Sequence, residues 1–308
     1  MNNPIPAVSI VTPARDVAPY LGETIRSVLA QSHADFEHII VDDGSTDETR
    51  EIAESFSAAD PRVRVAAQAP RGASAARNAA LRLARAPLIA FLDGDDLWRP
   101  DFLKRSLAAL TAEPADCIGT FCWSEDIAED GRHLQRATAP TIGRCDAYEM
   151  LRPICAPGNG SCLVIRREPL FEAGLFDEGV ASGQDIALWM EMLSRSSWRY
   201  VRCVHAPLVL HRHRSKSLSS THRQERLANC RDILARHGGL FDPRQRAEIR
   251  LRFMRYAVEL GSDGFARGWA RQLWDERELL PDWRARWTAA CVRFGGASLL
   301  RAWEGWNG

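Results

Sequence analysis

The chain has 308 residues and a mass of 34.4 kDa, which suits one large domain or one domain with a modest appendage. Apolar residues make up 45% of the chain and charged residues 26%, as in soluble globular proteins. Forty basic residues balance forty acidic residues. A formal net charge of zero argues against a general nucleic-acid binder, because such binding needs an excess of cations to neutralise phosphate.

Cysteine usage and hydropathy indicate the cellular compartment. The eight cysteines form no CxxC pair and no Cys/His metal spacing. The residues after Met1 lack the charged segment and apolar core of a signal peptide, and no apolar window is long enough to span a bilayer. We therefore expect a cytoplasmic protein with reduced thiols.

The first hundred residues alternate strand-like and helix-like segments. The strand-like runs are VSIV, FEHIIV, VRV and PLIAFL, which begin at positions 8, 36, 63 and 87. Segments with helical apolar spacing lie between them. A Ser45-x-x-Glu48 capping box precedes the second helix, and an alanine-rich segment over 73–86 forms the third. This alternation predicts an open, mostly parallel, Rossmann-like α/β sheet flanked by helices.

The middle of the chain is less regular, and its last part is helical. We predict a helix over 101–111, strands over 117–123 and 161–166, a helix over 184–195 and two short strands within 199–210. Strand signals stop near residue 220, and beyond it apolar residues keep helical spacing at Ile249, Phe253, Ala257 and Leu260. The sequence predicts a first domain over 1–220 and a helical C-terminal region over 221–308.

Acidic residues are concentrated at or near predicted strand ends. They are Asp42 and Asp43 after the second strand, Asp93, Asp95 and Asp96 after the fourth, and Asp185 after Gly183. Ligands bind an open parallel sheet at this edge, outside the carboxyl ends of the strands. Three carboxylates within four residues repel one another unless a cation is bound, so the second group indicates Mg²⁺ or Mn²⁺.

Each group also has a purely structural interpretation. Asp42 and Asp43 suit a turn or an N-cap, the second group suits a solvated acidic turn, and Asp185 suits the N-cap of a helix. No GxGxxG follows the first strand and no GxxxxGK[ST] occurs, so a dinucleotide enzyme and a P-loop NTPase are both poorly supported.

Three segments occur in a characteristic order: VSIVTPARDVAPYLGETIRSVLAQSHADFEHIIVDDGSTDET, RGASAARNAALRLARAPLIAFLDGDDLW and SGQDIALWMEML. Together they resemble the family 2 glycosyltransferases, which are inverting enzymes with the GT-A fold. The resemblance covers residues 7–215. Its motifs VDDGSTD, ARN and a DxDD after a strand are specific in combination.

The resemblance implies roles for the matching residues. Those implied to bind the nucleotide sugar are Thr12, Pro13, Asp42, Asp43, Arg71, Arg77, Asp93 and Asp95. Asp95 and Asp96 are implied to contact the ribose and a divalent metal. Asp185 matches the catalytic base, which takes the proton of the acceptor hydroxyl as the new bond forms.

Related enzymes place a histidine near the metal or diphosphate after the last sheet strand, where this chain has His211-x-His213. This position implies His213 as a metal ligand, and imidazole favours Mn²⁺ over Mg²⁺. The run HRHRSK over 211–216 has a second interpretation, as a lid that meets the diphosphate with cations.

The last part of the chain holds six of the ten tryptophans, interleaved with arginines as in DWRARW. One interpretation is an interfacial helix that touches anionic lipid, which would place the protein at the inner face of the membrane. The other is that these tryptophans pack the helical region onto the first domain, and sugar stacking is a third.

These features predict a metal-dependent bacterial glycosyltransferase of polysaccharide biosynthesis. We expect a UDP-sugar donor, with GDP and dTDP donors open, and a glycan or lipid-linked acceptor. The chain lacks a QxxRW motif, which argues against a processive synthase. The alternatives are a catalytically silent sugar-nucleotide or glycan-binding module, favoured by Gln184 where the family often has Glu, and a sugar nucleotidyltransferase.

Overall fold

The computed structural model describes residues 4–135, 143–151, 160–180, 182–195, 197–214 and 223–306. The chain forms two compact units. The first comprises residues 1–150 and 154–217, and the second comprises residues 151–153 and 218–308.

The first unit contains a ten-stranded sheet with helices. Its strands are β1 (Val8–Ala14), β2 (Phe36–Asp42), β3 (Val63–Ala67), β4 (Leu88–Phe91), β5 (Leu97–Trp98), β6 (Cys117–Ile127), β7 (His133–Gln135), β8 (Arg144–Cys145), β9 (Leu163–Arg166) and β10 (Tyr200–Arg212). Its helices are α1 (Ala18–Leu29), α2 (Thr49–Ala59), α3 (Ala73–Leu83), α4 (Phe102–Thr111), α5 (Ala147–Met150), α6 (Arg167–Glu172) and α7 (Gln184–Leu193).

The sheet has the strand order β3-β2-β1-β4-β9-β6-β10-β5, with β7 paired to β6 and β8 paired to β10. The first four strands pair in parallel, which confirms the α/β class. Beyond β4 the sheet is mixed, because β9 runs antiparallel to both β4 and β6, whereas β6 and β10 are parallel. Antiparallel neighbouring strands can be connected without a helical crossover, whereas the parallel strands β1 to β4 need one.

Strand β10 is longer than the sequence indicates. We predicted two short strands within 199–210, but one strand continues over Tyr200–Arg212 with register irregularities on both sides of Pro207. Proline removes a ladder donor, and bulges absorb the break without ending the strand. Strand β6 likewise runs four residues past its predicted end, to Ile127.

The predicted capping box before α2 is wrong. The N-cap of this helix is Glu48, without a side-chain cap, and the Ser45 hydroxyl accepts a hydrogen bond from the Asp16 N–H at 3.1 Å. The carboxylate of Asp47 instead accepts from the Thr49 N–H at 3.0 Å. Asp47 therefore accepts a hydrogen bond from a backbone N–H at the start of α2, which the spacing had predicted for Ser45.

Two hydrophobic layers cover the sheet. Side chains alternate along a strand, so in β1 Val11 packs with residues of α3, α6 and α7, whereas Ile10 packs with residues of α1 and α4. Close strand contact also requires Gly119 in β6, because a Cβ there would lie 2.2 Å from the Val164 carbonyl oxygen of β9. Because β1 to β4 run in parallel, the loops that follow them emerge at one edge of the sheet.

The second unit is helical, as predicted. Its helices are α8 (Arg223–His237), α9 (Pro243–Glu259), α10 (Asp263–Asp275) and α11 (Trp283–Trp306). Helix α9 begins with a capping box formed by Asp242 and Gln245 and has Pro243 in its first turn.

Among the described residues, no helix combines the length and apolar character needed to cross a membrane.

Candidate active site

Asp43 holds the loop that precedes α3 against the end of β2. This residue is only 2% exposed, and its carboxylate accepts hydrogen bonds at 2.8 Å from the backbone N–H groups of Arg71 and Gly72. The side-chain amide of Gln68 donates a third bond, also at 2.8 Å. The carboxylate thus organises the chain at the carboxyl edge of the sheet, and its contact with the nucleotide sugar stays a prediction.

The neighbouring Asp42 shapes the turn that follows β2. Its Oδ1 accepts a hydrogen bond from the Ser45 N–H at 3.2 Å. Gly44 has φ +70°, and a Cβ there would lie 2.6 Å from Pro70 Cδ, so only glycine fits this approach of two loops. The turn interpretation therefore describes Asp42 well, and its proposed contact with a nucleotide stays a prediction.

Thr12 lies inside the sheet, and its contact with a nucleotide stays a prediction. This residue is fully buried within β1, and its hydroxyl lies 2.8 Å from Nε2 of His38 in β2. Burial lowers the pKa of His38 to about 3, so the imidazole is neutral. The Thr12 hydroxyl therefore has a structural partner within the sheet. Pro13, the next residue, is half-buried and directs its carbonyl oxygen towards Gly94 of the acidic loop.

Arg71 and Arg77 both form ion pairs at this edge. Nη2 of Arg71 lies 2.7 Å from Glu178 Oε2, and Nη2 of Arg77 lies 2.6 Å from Asp93 Oδ1. Asn78, the last residue of the ARN motif, donates to Glu178 Oε1 at 3.0 Å. Arg77 therefore ties helix α3 to the acidic loop after β4, and Asn78 ties it to the segment before α7. Sequence reasoning missed this role of Asn78.

Asp96 is an interior residue. It is 1% exposed, and its two carboxylate oxygens accept hydrogen bonds from the Ser161 hydroxyl at 2.6 Å and the Arg212 N–H at 2.9 Å. The same Ser161 oxygen accepts from the Asp93 N–H at 3.0 Å. Both Asp96 oxygens serve contacts that hold the loop, β10 and Ser161 together, and its role as a metal ligand stays a prediction.

Asp95 is the acidic-loop residue that faces the end of β10. Its Oδ2 lies 2.5 Å from the guanidinium Nε of Arg214. Burial, reinforced by the Asp96 carboxylate, raises the pKa of Asp95 to about 7, although Arg214 and His211 act in the opposite direction. A cation bound beside Asp95 would therefore favour the ionised form of its carboxyl group.

A carboxylate and two imidazoles meet where β6 and β10 end. Asp126 is paired in register with His211, and its Oδ1 lies 3.3 Å from His211 Nδ1 and 3.0 Å from His213 Nε2. One ligand atom from each residue falls within 4.8 Å of the others. A divalent transition metal fits this set, since carboxylate suits Mn²⁺ and imidazole adds a softer ligand.

The structure thus groups the predicted ligand His213 with Asp126 and His211. Asp126 was missed because the predicted strand stopped at residue 123, which left the acidic run of 125–126 in an unassigned loop. Arg212, which lies between the two histidines, donates hydrogen bonds to Asp96 Oδ1 and to the Asp95 carbonyl oxygen, so the end of β10 is bonded to the acidic loop.

Arg212 anchors the end of β10. Its guanidinium donates to the carbonyl oxygens of Asp95 at 2.9 Å and Glu129 at 3.0 Å, and to Glu23 Oε2 at 2.8 Å. The group also lies 5.1 Å from the ring centroid of Tyr20. Within the run HRHRSK, which we considered as a lid, Arg212 is therefore a buried anchor. Ser215 and Lys216 of that run lie outside the described residues.

Asp185 lies in the first turn of α7. The N-cap is Gly183, with φ +77°, so the interpretation of Asp185 as the N-cap is wrong. The half-buried Asp185 side chain accepts a hydrogen bond from the Ile186 N–H at 2.9 Å. Negative charge in a first turn is favourable, and the position leaves the second carboxylate oxygen for other chemistry.

Comparison with known proteins identifies the class. The family model described as Glycosyl transferase family 2 matches residues 9–172. TuaG of Bacillus subtilis, a glycosyltransferase ascribed to teichuronic acid biosynthesis, is 34% identical over 203 residues, covering 65% of this chain and 77% of that protein. An uncharacterized glycosyltransferase of Rickettsia felis is 32% identical over 192 residues. The aligned residues cover 62% of this chain and 31% of that protein.

The fold also resembles a solved structure. Residues 1–349 of S. aureus TarS, in complex with UDP-GlcNAc, superpose with a TM-score of 0.64 at 18% identity, covering 96% of this chain and 89% of that one. This likeness supports the GT-A fold. The chain belongs to glycosyl transferase family 2 and is a glycosyltransferase.

Proposed function

We propose that this enzyme transfers a sugar from a nucleotide-diphosphate sugar to an acceptor hydroxyl, with inversion and with the help of a divalent metal. We assign catalysis to residues 1–220 and regard 221–308 as a helical appendage. The observation that carries the proposal is the convergence of Asp126, His211 and His213, where Arg212 between the two histidines donates hydrogen bonds to Asp96 Oδ1 and to the Asp95 carbonyl oxygen of the acidic loop.

A UDP-sugar is the donor we favour. TarS, whose fold this chain shares, has been solved with UDP-GlcNAc and with UDP. TuaG is ascribed to the synthesis of teichuronic acid, and we extend this to a bacterial polysaccharide or lipid-linked glycan as the acceptor.

The donor site combines anionic loops with cationic groups. Asp126, His211 and His213 would hold the cation, and the acidic loop that carries Asp95 is bonded to this strand end through Arg212. When bound, the cation would neutralise charge on the leaving diphosphate. Arg214 lies against Asp95 and can turn a guanidinium towards phosphate oxygens. The loop that Asp43 organises then lies beside the base.

Asp185 supplies the proton transfer. Inversion requires the acceptor hydroxyl to approach the anomeric carbon on the face opposite the diphosphate, and its proton must leave as the bond forms. Asp185 projects from the first turn of α7, with one oxygen held by the Ile186 N–H. This hydrogen bond orients the carboxylate, so the other oxygen serves as the general base.

Thermal unfolding with UDP, GDP or dTDP, each with and without Mn²⁺, tests the donor site. Saturation at a hundred times the dissociation constant should stabilise the fold by about 2.7 kcal/mol. We expect a metal-dependent shift with UDP that Asp95→Asn abolishes. Asp35→Asn is the control, because Asp35 is exposed and directly precedes β2 at the opposite edge of the sheet.

No shift with any nucleotide in a folded protein would overturn the donor-site assignment. A shift without turnover would favour the binding module, which Gln184 next to the proposed base also suggests.

A further inference from the structure

Helix α11 presents large aromatic side chains to solvent. Trp287 is 49% exposed and Phe294 is 69% exposed, and their spacing of seven residues puts both on one face. Phe294 packs edge to face against Trp274 of α10, with ring centroids 5.2 Å apart. We call Trp274, Trp287 and Phe294 the aromatic patch. Exposed aromatic clusters of this kind mark binding surfaces.

Tryptophans elsewhere in this region serve a different purpose. Trp269 is buried and packs against Phe253, with ring centroids 5.8 Å apart. Packing therefore accounts for Trp269 within the helical unit, whereas Trp287 and Phe294 of the aromatic patch are exposed and Trp274 is half-buried. The structure describes the backbone of Trp283, Trp303 and Trp306 but not their side chains.

Arginines border the aromatic patch. The Arg293 guanidinium lies 5.5 Å from the ring centroid of Trp274 and 5.2 Å from that of Phe294, and Arg277 lies 5.2 Å from Trp274. Arg286 and Arg293 each have an acidic partner at 3.8 Å on a highly exposed side chain. Exposed pairs at this distance are weak, so these guanidinium groups can exchange their partners for other anions.

Charge is distributed unevenly along the chain. Residues 221–308 contain sixteen arginines and eleven aspartates and glutamates, a net charge of +5, which leaves −5 for residues 1–220 because the whole chain is neutral. Residues 283–303 contain four arginines and no acidic residue. A cationic rim around an aromatic centre complements an anionic surface with an apolar interior, which describes a lipid bilayer.

We propose that the aromatic patch and its arginines bind the surface of an anionic phospholipid bilayer, with α11 lying in the interfacial plane. The tryptophan rings enter the headgroup region, where amphipathic aromatic side chains are most stable, and Phe294 adds apolar surface. The guanidinium groups pair with lipid phosphates. A second copy is a poorer occupant, because a symmetric pair would bring two cationic rims together.

Vesicle co-sedimentation of the full chain tests this proposal. We expect at least about tenfold stronger partition onto mixed phosphatidylcholine–phosphatidylglycerol vesicles than onto phosphatidylcholine alone, with binding that weakens as salt is added. The double variant Trp287→Ser, Phe294→Ser should lose at least about tenfold of this partition. The matched control is Leu240→Ser, since Leu240 is 45% exposed in the same helical region.

A second variant keeps the test independent of folding defects. Arg286→Gln with Arg293→Gln retains the rings and should lose the preference for anionic vesicles. Equal partition onto neutral vesicles, or full binding by both double variants, would overturn the proposal. A dimer in analytical ultracentrifugation that dissociates in the aromatic variant would instead assign the face to a second copy. Nucleotide stabilisation without vesicles reports separately on the donor site.

Discussion

The Arg214 guanidinium lies 2.5 Å from the Asp95 carboxylate, which joins the chain just beyond β10 to the acidic loop after β4. The pair links two segments separated by more than a hundred residues at the edge where the donor is proposed to bind. Burial alone would favour a neutral Asp95, and Arg214 opposes that effect. Changes to either partner should therefore alter donor binding more than folding.

Arg214→Gln should weaken donor binding. The guanidinium is the proposed phosphate contact, and its loss should raise KM for the nucleotide sugar about tenfold, or about 1.4 kcal/mol, with little change in kcat. Steady-state release of nucleoside diphosphate measures both constants. Arg231→Gln, which removes an exposed pair with Asp232 in α8, serves as the control. An unchanged KM would contradict the role given to Arg214.

His211→Gln combined with His213→Gln should weaken Mn²⁺ binding at least about tenfold, because two of the three converging ligands are removed. Isothermal titration with Mn²⁺ alone measures this effect without turnover. His205→Gln is the matched control, since it changes an exposed histidine on the same strand. Equal Mn²⁺ affinity in the double variant would show that the cation binds elsewhere.

Asp185→Asn should abolish proton transfer while preserving donor binding. Loss of a general base lowers kcat by about 10²- to 10⁴-fold, whereas the amide keeps an oxygen that can accept from the Ile186 N–H. Sugar transfer and UDP-dependent thermal stabilisation should be measured on the same preparation. Retained turnover would remove Asp185 from catalysis, and Asp232→Asn controls for the change of one exposed carboxylate.

Thr12→Val should destabilise the fold by about 1–3 kcal/mol. The substitution keeps the shape of the side chain but leaves His38 Nε2 without its partner in a buried layer, where Nδ1 is already unpaired. Urea unfolding measures the difference. Thr111→Val is the control, because the Thr111 hydroxyl is exposed and bonds within its own helix. A neutral effect would show that solvent reaches His38.

Stability should fall in acid through His38. Its pKa in the folded chain is about 3, below the ordinary value of 6.5, so between these values the unfolded chain binds an extra proton. This contribution is complete above pH 6.5 and is lost as the pH falls towards 3, at up to about 1.4 kcal/mol per pH unit. Between pH 7 and pH 5, His38 should lower the free energy of unfolding of the wild-type chain by about 2 kcal/mol. This part of the decrease should be absent in His38→Leu. Identical pH profiles would contradict a buried neutral imidazole.

Local patterns in the sequence determined the alternation of β1 to β4 with helices and the helical C-terminal region. Apolar periodicity reports which residues are buried, and burial selects helix or strand over short distances. The same patterns placed Asp43, Asp95 and Asp185 at element ends, because polar loops follow buried strands. Family motifs then indicated the chemistry from residues close together in the chain.

Only the tertiary structure decided how residues far apart in sequence divide their roles. Asp126 becomes a neighbour of His211 because β6 and β10 lie side by side, a pairing that depends on register across 85 residues. Asp96 and Asp95 are adjacent in sequence, yet one is enclosed by Ser161 and Arg212 while the other faces Arg214. Burial and hydrogen bonding are set by partners from other strands, so composition and spacing carry no record of them.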